Sequence, residues 1–174
     1  MTTIRTTPVN KSFLSNNKFD FVLDRIPNFT FVVQSVNLPS LALQSTTVNT
    51  PFVQLSIPGN QLSFGQMTLS FIIDEDMQSW YEIYNWMFQL GNPKSFNKRG
   101  TLTGESGTNT HVTSDGTLFI KTNSNNMNWK ATFYEMYPND LGDITFSTTE
   151  TQDFLTSTVT FNYTYYEITR AVGT

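Results

Sequence analysis

The chain has 174 residues with 27 Thr, 15 Ser, 17 Asn and no Cys, and aromatic residues make up 14% of it. This length suits about one domain with a real core, and the abundance of Thr and aromatic residues favours strands over a helical bundle or a disordered tail. The net charge of −4, with scattered basic residues, argues against a protein that grips nucleic acid through its phosphates. Without Cys there is no disulfide framework, thiolate metal site or cysteine nucleophile.

The N-terminal segment, residues 1–17, is polar and follows neither a strand nor a helix period, so we interpret it as an arm or entry loop. It lacks the apolar stretch of a signal peptide. No later window approaches about 18 uninterrupted apolar residues. We therefore expect a chain made in the cytoplasm without membrane insertion.

Alternating apolar and polar residues dominate the first half of the chain after this arm. The alternation predicts strands over 18–24, 29–37 and 66–73, and the two arms of a long hairpin over 45–49 and 52–57.

The pattern then changes to helical spacing, which predicts one amphipathic helix over about 77–90. Asp74, Glu75 and Asp76 precede it, where carboxylates accept hydrogen bonds from free backbone N–H groups. Cation ligands would need wider spacing and a glycine turn, so helix capping is the preferred interpretation.

The second half begins with residues 92–115, a stretch rich in Gly, Asn, Ser and Thr that is long for a loop in a compact domain. It is either mobile or a partner-binding excursion. Further strands are expected over 117–122, 129–137 and 156–168, with a tight connection over 137–143. Together these elements predict a mainly β chain, one domain over 1–174, with one long helix.

Candidate chemistry is sparse. Ser106, His111 and Asp115 lie close in the sequence, but the Ser lacks a Gly-x-Ser-x-Gly elbow, so a solvated loop histidine is the preferred interpretation. Asp140 and Asp143 could pass for paired glycosidase carboxylates, yet a turn explains them more simply. We therefore expect no enzyme, no cofactor and no metal site.

The aromatic residues allow two interpretations. They could form a sugar-stacking platform, which would make the chain a carbohydrate-binding β-sandwich module, or they could fill the core, which their alternating positions favour. The residues concerned are Trp80, Trp86, Trp129, Phe161, Tyr163 and Tyr165.

Open sheet edges need partners or protection, and residues 156–166 carry no charge that would keep another strand away. Self-association of identical copies around a closed ring resolves this problem.

Three segments carry a family resemblance: FIIDEDMQSWYEIYNWMFQLGNP at 71–93, TFYEMYPNDLGDITF at 132–146 and TVTFNYTYYEI at 158–168. A strand runs into an acidic turn and a Trp-containing helix, a second strand ends in Tyr-Pro with Leu-Gly nearby, and an alternating aromatic strand follows. This order resembles the tail tube proteins of contractile-tailed bacteriophages, and residues 18–39 fit the same beginning.

The resemblance implies a sandwich-like or barrel-like tail-tube fold with one flanking helix. It also implies a structural virion protein, assembled in the host cytoplasm as hexameric rings that stack into the inner tube of the tail. Expected partners are further copies, the tail sheath protein, the tape measure protein and baseplate initiator proteins, and DNA passes through the lumen without specific binding. A tube-initiator and a type VI-like injection tube are alternatives. By analogy of position, subunit contacts are expected at Leu38, Pro39, Phe52, Leu55, Tyr137, Pro138, Leu141, Gly142 and Asp143.

Overall fold

The structure, a computed structural model, describes residues 11–93, 112–148 and 154–171. Within these ranges the chain forms nine strands, one α-helix and a 3-10 turn at Pro27–Phe31. The strands are β1 (Phe19–Leu23), β2 (Val33–Val36), β3 (Leu41–Asn49), β4 (Gln54–Phe64), β5 (Met67–Ile72), β6 (Ser114–Lys121), β7 (Met127–Leu141), β8 (Thr156–Asn162) and β9 (Tyr165–Arg170), and the helix is α1 (Gln78–Leu90). The mainly β prediction with one flanking helix is confirmed.

The strands form two antiparallel layers that share one long strand. One layer has the order β1-β6-β7-β9, and the other has the order β2-β5-β8-β7. The first half of β7 pairs with β9, and its second half pairs with β8. β3 and β4 form a separate two-stranded ribbon.

β7 can belong to both layers because it bends near Glu135, whose φ of 56° is left-handed. The Glu135 backbone N–H donates to Asp115 Oδ1 at 3.0 Å, and Thr164 Oγ1 donates to Glu135 Oε2 at 2.6 Å. Opposite the bend, a Cβ on Gly116 would lie 2.5 Å from Met136 Sδ, so a larger residue there requires the buried Met136 side chain to shift.

The hydrophobic core lies between the two layers and continues onto α1. It includes Phe21 and Phe133 from one layer, Phe71 and Phe161 from the other, and Trp86 from the helix. Trp86 packs 6.2 Å from Phe161 between ring centroids, and its Nε1 donates to the Val112 carbonyl at 3.1 Å. The preference for a core role is confirmed for Trp86 and Phe161.

The acidic turn before α1 caps the helix through Asp74. Its carboxylate accepts hydrogen bonds from the backbone N–H groups of Gln78 and Ser79 and from the Ser79 hydroxyl at 2.6 Å. The capping prediction is confirmed for this residue. These hydrogen bonds, led by the one from the Ser79 hydroxyl, lower the pKa of Asp74.

Three element predictions need correction. The expected strand over 29–37 begins with the 3-10 turn, because Pro27 fits the first turn of a helix. The expected tight connection over 137–143 is instead the end of β7, since this segment pairs with β8 as far as Leu141. The expected single strand over 156–168 is two strands, because the chain changes layers at Tyr163 and Thr164, and Tyr166 rather than Tyr165 then packs against the core.

Of the helices in the described ranges, none has the length and apolar content needed to cross a bilayer.

Candidate assembly surface

The rest of the described chain leaves most of the β3–β4 ribbon uncovered. All nine residues of β3 are exposed, and all but two of the eleven in β4 are exposed. The ribbon and the turn that joins its strands carry eight exposed large apolar residues: Leu41, Leu43, Val48, Phe52, Val53, Leu55, Ile57 and Leu62. A lone two-stranded ribbon is only marginally stable in water, so its apolar surface is suited to contact with another molecule.

The ribbon is longer than the sequence predicted, and a defined turn closes it. The hydroxyl of Thr50 donates to the Val53 carbonyl at 2.5 Å and accepts a hydrogen bond from the Val53 N–H at 3.2 Å. Phe52 protrudes from this turn with 96% of its surface exposed. The Phe52 ring therefore makes little contact within the single chain and is available to contact another molecule.

Two tyrosines attach the base of the ribbon to the body of the protein. Tyr163 Oη donates to the Gly65 carbonyl at 2.6 Å, and Tyr166 Oη donates to the Pro39 carbonyl at 3.1 Å. Phe64 packs edge-on against both rings. Burial raises the pKa of Tyr163 to about 12, so its hydroxyl remains a donor at neutral pH.

The ribbon belongs to an uncharged part of the sequence. Residues 26–73 contain no Asp, Glu, Lys, Arg or His, and this range includes β2, β3, β4 and β5. The outer face of β5 and β8 pairs Thr68 with Thr160 and Ser70 with Thr158. The absence of charge in this segment is visible in the sequence, but the strand predictions depended only on the alternation of apolar and polar residues.

The nine predicted contact residues lie in two places. Leu38, Pro39, Phe52 and Leu55 are at the ribbon, while Tyr137, Pro138, Leu141, Gly142 and Asp143 are at and beyond the end of β7. Pro39 and Pro138 are buried, and Leu38, Phe52 and Leu55 are exposed. Gly142 pairs inside the chain, since its N–H donates to the Thr158 carbonyl at 2.7 Å. Their part in subunit contacts stays a prediction.

The two layers also have open edges. β2 pairs only with β5, and β9 pairs only with β7, among the strands of the described residues. Exposed backbone groups on such edges are available for pairing with another chain.

A second surface lies on α1, where Trp80 stacks on Tyr84 at 5.4 Å between ring centroids and 11° between planes. Beside these rings is a cavity of about 430 Å³ that Asp140 and Leu141 also line. Trp80 Nε1 is buried and has no hydrogen-bond partner in the part of the chain that the structure describes. Trp86 lies in the core, so the three tryptophans do not form one sugar-stacking platform.

Of the candidate catalytic group Ser106, His111 and Asp115, the structure describes Asp115. Ser106 and His111 lie outside the described residues. Asp115 uses its carboxylate to accept the Glu135 N–H at the bend of β7. Across residues 11–93, 112–148 and 154–171, no three acidic or histidine side chains are grouped to hold a metal ion.

Comparisons with known proteins agree with this architecture. The sequence pattern of the family described as phage tail tube protein matches residues 2–169. The tail tube terminator protein of Enterobacteria phage T4 is 32% identical to the chain over 145 residues, which cover 80% of this chain and 78% of the T4 protein.

Two solved structures share the fold at low sequence identity. The tube-terminating cap of the anti-feeding prophage is 13% identical, with a TM-score of 0.68 over 98% of this chain and all of that one. A chain of the sheath–tube complex of the PVC extracellular contractile injection system is 11% identical, with a TM-score of 0.65 over 92% of this chain and 94% of that one.

Proposed function

The chain belongs to the phage tail tube protein family, and from that premise we propose that its copies form a closed ring that ends the tube of a contractile tail. As a family member it is a structural component of the virion tail. The position at the end of the tube is favoured by the 32% identical relative, which is a tube terminator. The sequence had instead suggested the tube shaft or its initiator.

The observation that carries the proposal is the uncovered β3–β4 ribbon. With its turn it carries eight exposed large apolar residues, all in a segment without charged side chains. Burial of such residues against another copy contributes about 25 cal/mol for each Å² removed from water, from which the entropy lost on association must be subtracted. The open edges of β2 and β9 provide further places where identical copies can join.

The proposed ring is hexameric and stacks on the last ring of the tube, inside the sheath. DNA and the tape measure protein pass through its lumen. The uncharged hydroxyl face of β5 and β8 supports this role, because a wall without Lys or Arg does not retain phosphates by releasing counterions. DNA would then pass without specific binding.

Purified protein tests the proposal directly. We expect sedimentation and negative-stain microscopy to show closed rings of six times the 19.8 kDa of one chain. Added to polymerising tube protein from the same phage, the rings should shorten the tubes. Filaments of the protein alone would instead place it in the shaft, and a monomer at every concentration would overturn the proposed ring.

A further inference from the structure

A row of partly exposed aromatic side chains runs along α1. Trp80, Tyr84 and Phe88 follow one another at intervals of four residues, so they lie on one face of the helix. Their rings stack in order, with 5.4 Å between the centroids of Trp80 and Tyr84 and 5.8 Å between those of Tyr84 and Phe88. Trp80 also packs against the core, whereas Tyr84 extends the row to the surface with 42% of its own area exposed.

A groove of about 430 Å³ lies between this row and the end of β7. Met87 and Leu141 line it together with the three rings, and Asp140 contributes a carboxylate. This volume is within the range of about 300–1,000 Å³ that is typical of ligand pockets. Asp140 is exposed, and within the described ranges its carboxylate makes no hydrogen bond or ion pair. The groove therefore joins aromatic and apolar surface to one carboxylate without a partner.

The two stretches of sequence that form the groove carry negative charge and no positive charge. Residues 26–93 and 131–169, which include α1 and the end of β7, contain ten of the 14 acidic residues and none of the Lys, Arg or His. Glu75 and Asp76 are exposed just before α1, and Asp143 is exposed just after β7. A surface with one sign of charge attracts a partner of the opposite sign.

Rings beside a carboxylate suit an arginine side chain better than other cations. A guanidinium stacks on aromatic faces and donates two parallel hydrogen bonds to a carboxylate, whereas a lysine ammonium lacks this planar fork. A metal ion needs several oxygen ligands, and the described residues contain no group of three acidic or His side chains that could supply them.

We propose that this groove docks an arginine-bearing segment of a different protein of the tail, with the guanidinium against Tyr84 and Asp140. An apolar neighbour of that arginine packs against Met87 and Leu141. A second copy is a poor source of the missing positive charge, because each chain carries a net charge of −4. The proposal rests on membership of the tail tube family and does not require the ring.

Peptides test the site on the full chain. The probes are short, overlapping, fluorescein-labelled peptides from the other tail proteins of the same phage, and fluorescence anisotropy measures their binding. We expect binding by peptides in which an Arg stands beside an apolar residue. Replacement of that Arg by Lys should weaken binding, and replacement by Gln should abolish it. If no peptide binds, or if the Gln peptides bind as well as the Arg peptides, the proposal is overturned.

Matched variants locate the contact in the groove. Asp140→Asn should weaken peptide binding by about tenfold or more, because a charge-assisted hydrogen bond is lost. Asp143→Asn removes the same charge outside the groove lining, so its affinity should stay within about twofold of the natural chain. Both side chains are exposed, and circular dichroism should show that both variants fold. Equal losses from the two variants would mean general attraction to negative charge and would overturn the groove contact.

The aromatic row has its own matched pair of variants. Tyr84→Ala removes a ring that lines the groove, and Tyr81→Ala removes an exposed ring of the same helix that does not line it. We expect Tyr84→Ala to weaken peptide binding at least about threefold, because a cation–π contact is lost, and Tyr81→Ala to bind as the natural chain does. The reverse order would overturn the placement of the guanidinium on Tyr84.

Ring formation separates this proposal from the proposed function. If rings form and no peptide binds, the ring stands and the groove proposal is overturned. If peptides bind and no rings form, the ring is overturned and the groove proposal stands. If Asp140→Asn prevents ring formation while Asp143→Asn does not, the occupant of the groove is a second copy, and docking of a different protein is overturned.

Discussion

Asp74 stabilises the start of α1 through a carboxylate that accepts three hydrogen bonds. We expect Asp74→Ala to lower the free energy of unfolding by about 0.5–2 kcal/mol, as for other lost helix caps. Urea unfolding of the purified protein measures this change. The exposed Asp76 offers a control, and Asp76→Ala should stay within about 0.5 kcal/mol of the natural chain.

The same residue predicts a pH dependence. Its hydrogen bonds hold the pKa of Asp74 below 3.8, so the carboxylate contributes stability that is complete above that pH. This contribution is lost as the pH falls through the lower folded-state pKa. Asp74→Ala should therefore lose less stability than the natural chain on acidification below 3.8. Parallel curves for the two proteins would contradict the role of the carboxylate.

Tyr163 predicts the opposite behaviour at alkaline pH. Burial raises its pKa from 10.0 to about 12, so folding favours the neutral phenol. Stability from this group is complete below pH 10 and is lost as the pH rises from 10 to about 12. The thermal midpoint of Tyr163→Phe should fall less steeply across that window, although it loses the hydrogen bond to Gly65. Tyr81→Phe, at an exposed position, should follow the natural chain.

At the scale of elements, Gly116 of β6 fits tightly against buried side chains beside the bend of β7. A Cβ on Gly116 would lie 2.5 Å from Met136 Sδ and 3.3 Å from Phe21 Cζ. We expect Gly116→Ala to cost about 1–3 kcal/mol, as other overpacked core positions do.

A double-mutant cycle identifies the clash. Met136→Ala opens a cavity by itself, but it also makes room for the new methyl group. The double variant should therefore lose less stability than the sum of the two single variants, by about 0.5–3 kcal/mol in denaturant unfolding. If the stability losses of the two single variants simply add, a clash between the new methyl group and Met136 is not the cause of the loss in Gly116→Ala.

Elements with one unbroken period could be predicted from sequence, and elements set by tertiary pairing could not. β5 and α1 follow their periods over their whole length, and the predicted bounds differ from the structure by one residue at each end of β5 and by one residue at the start of α1. The division between β8 and β9 escaped prediction because alternation continues through Tyr163 and Tyr165, and only the pairing of β7 with both strands shows that the chain changes layers. A hairpin was predicted with arms over 45–49 and 52–57. Its extension to Leu41 and Phe64 was not predicted, because Pro58 and Gly59 are residue types typical of turns.

At the scale of the whole molecule, the absence of charge in residues 26–73 predicts how assembly responds to salt. Apolar contacts are not screened by ions, so ring formation should change little between about 0.05 M and about 0.5 M sodium chloride. Analytical ultracentrifugation across this range measures the association constant. Cooling should weaken assembly, because the hydrophobic effect weakens at low temperature. A steep decline with salt would mean that ion pairs outside this segment control the ring.

The assembly surface was only partly visible in the sequence. Phe52 and Leu55 were placed among the contact residues by analogy, and the structure shows both exposed on the ribbon. Phe31 lies in the range 29–37 that was predicted as a strand, and the 3-10 turn that begins at Pro27 leaves its ring exposed. Which surfaces remain uncovered depends on how the layers pack, and local patterns do not contain that information.

The uncovered ribbon has a consequence for the life of the protein before assembly. A copy fresh from the ribosome presents a long strand pair with no charge to discourage stray pairing and no partner yet in place. Overproduction without its partners therefore favours inclusion bodies. Synthesis at the same time as the other tail proteins would keep the concentration of the unpartnered chain low.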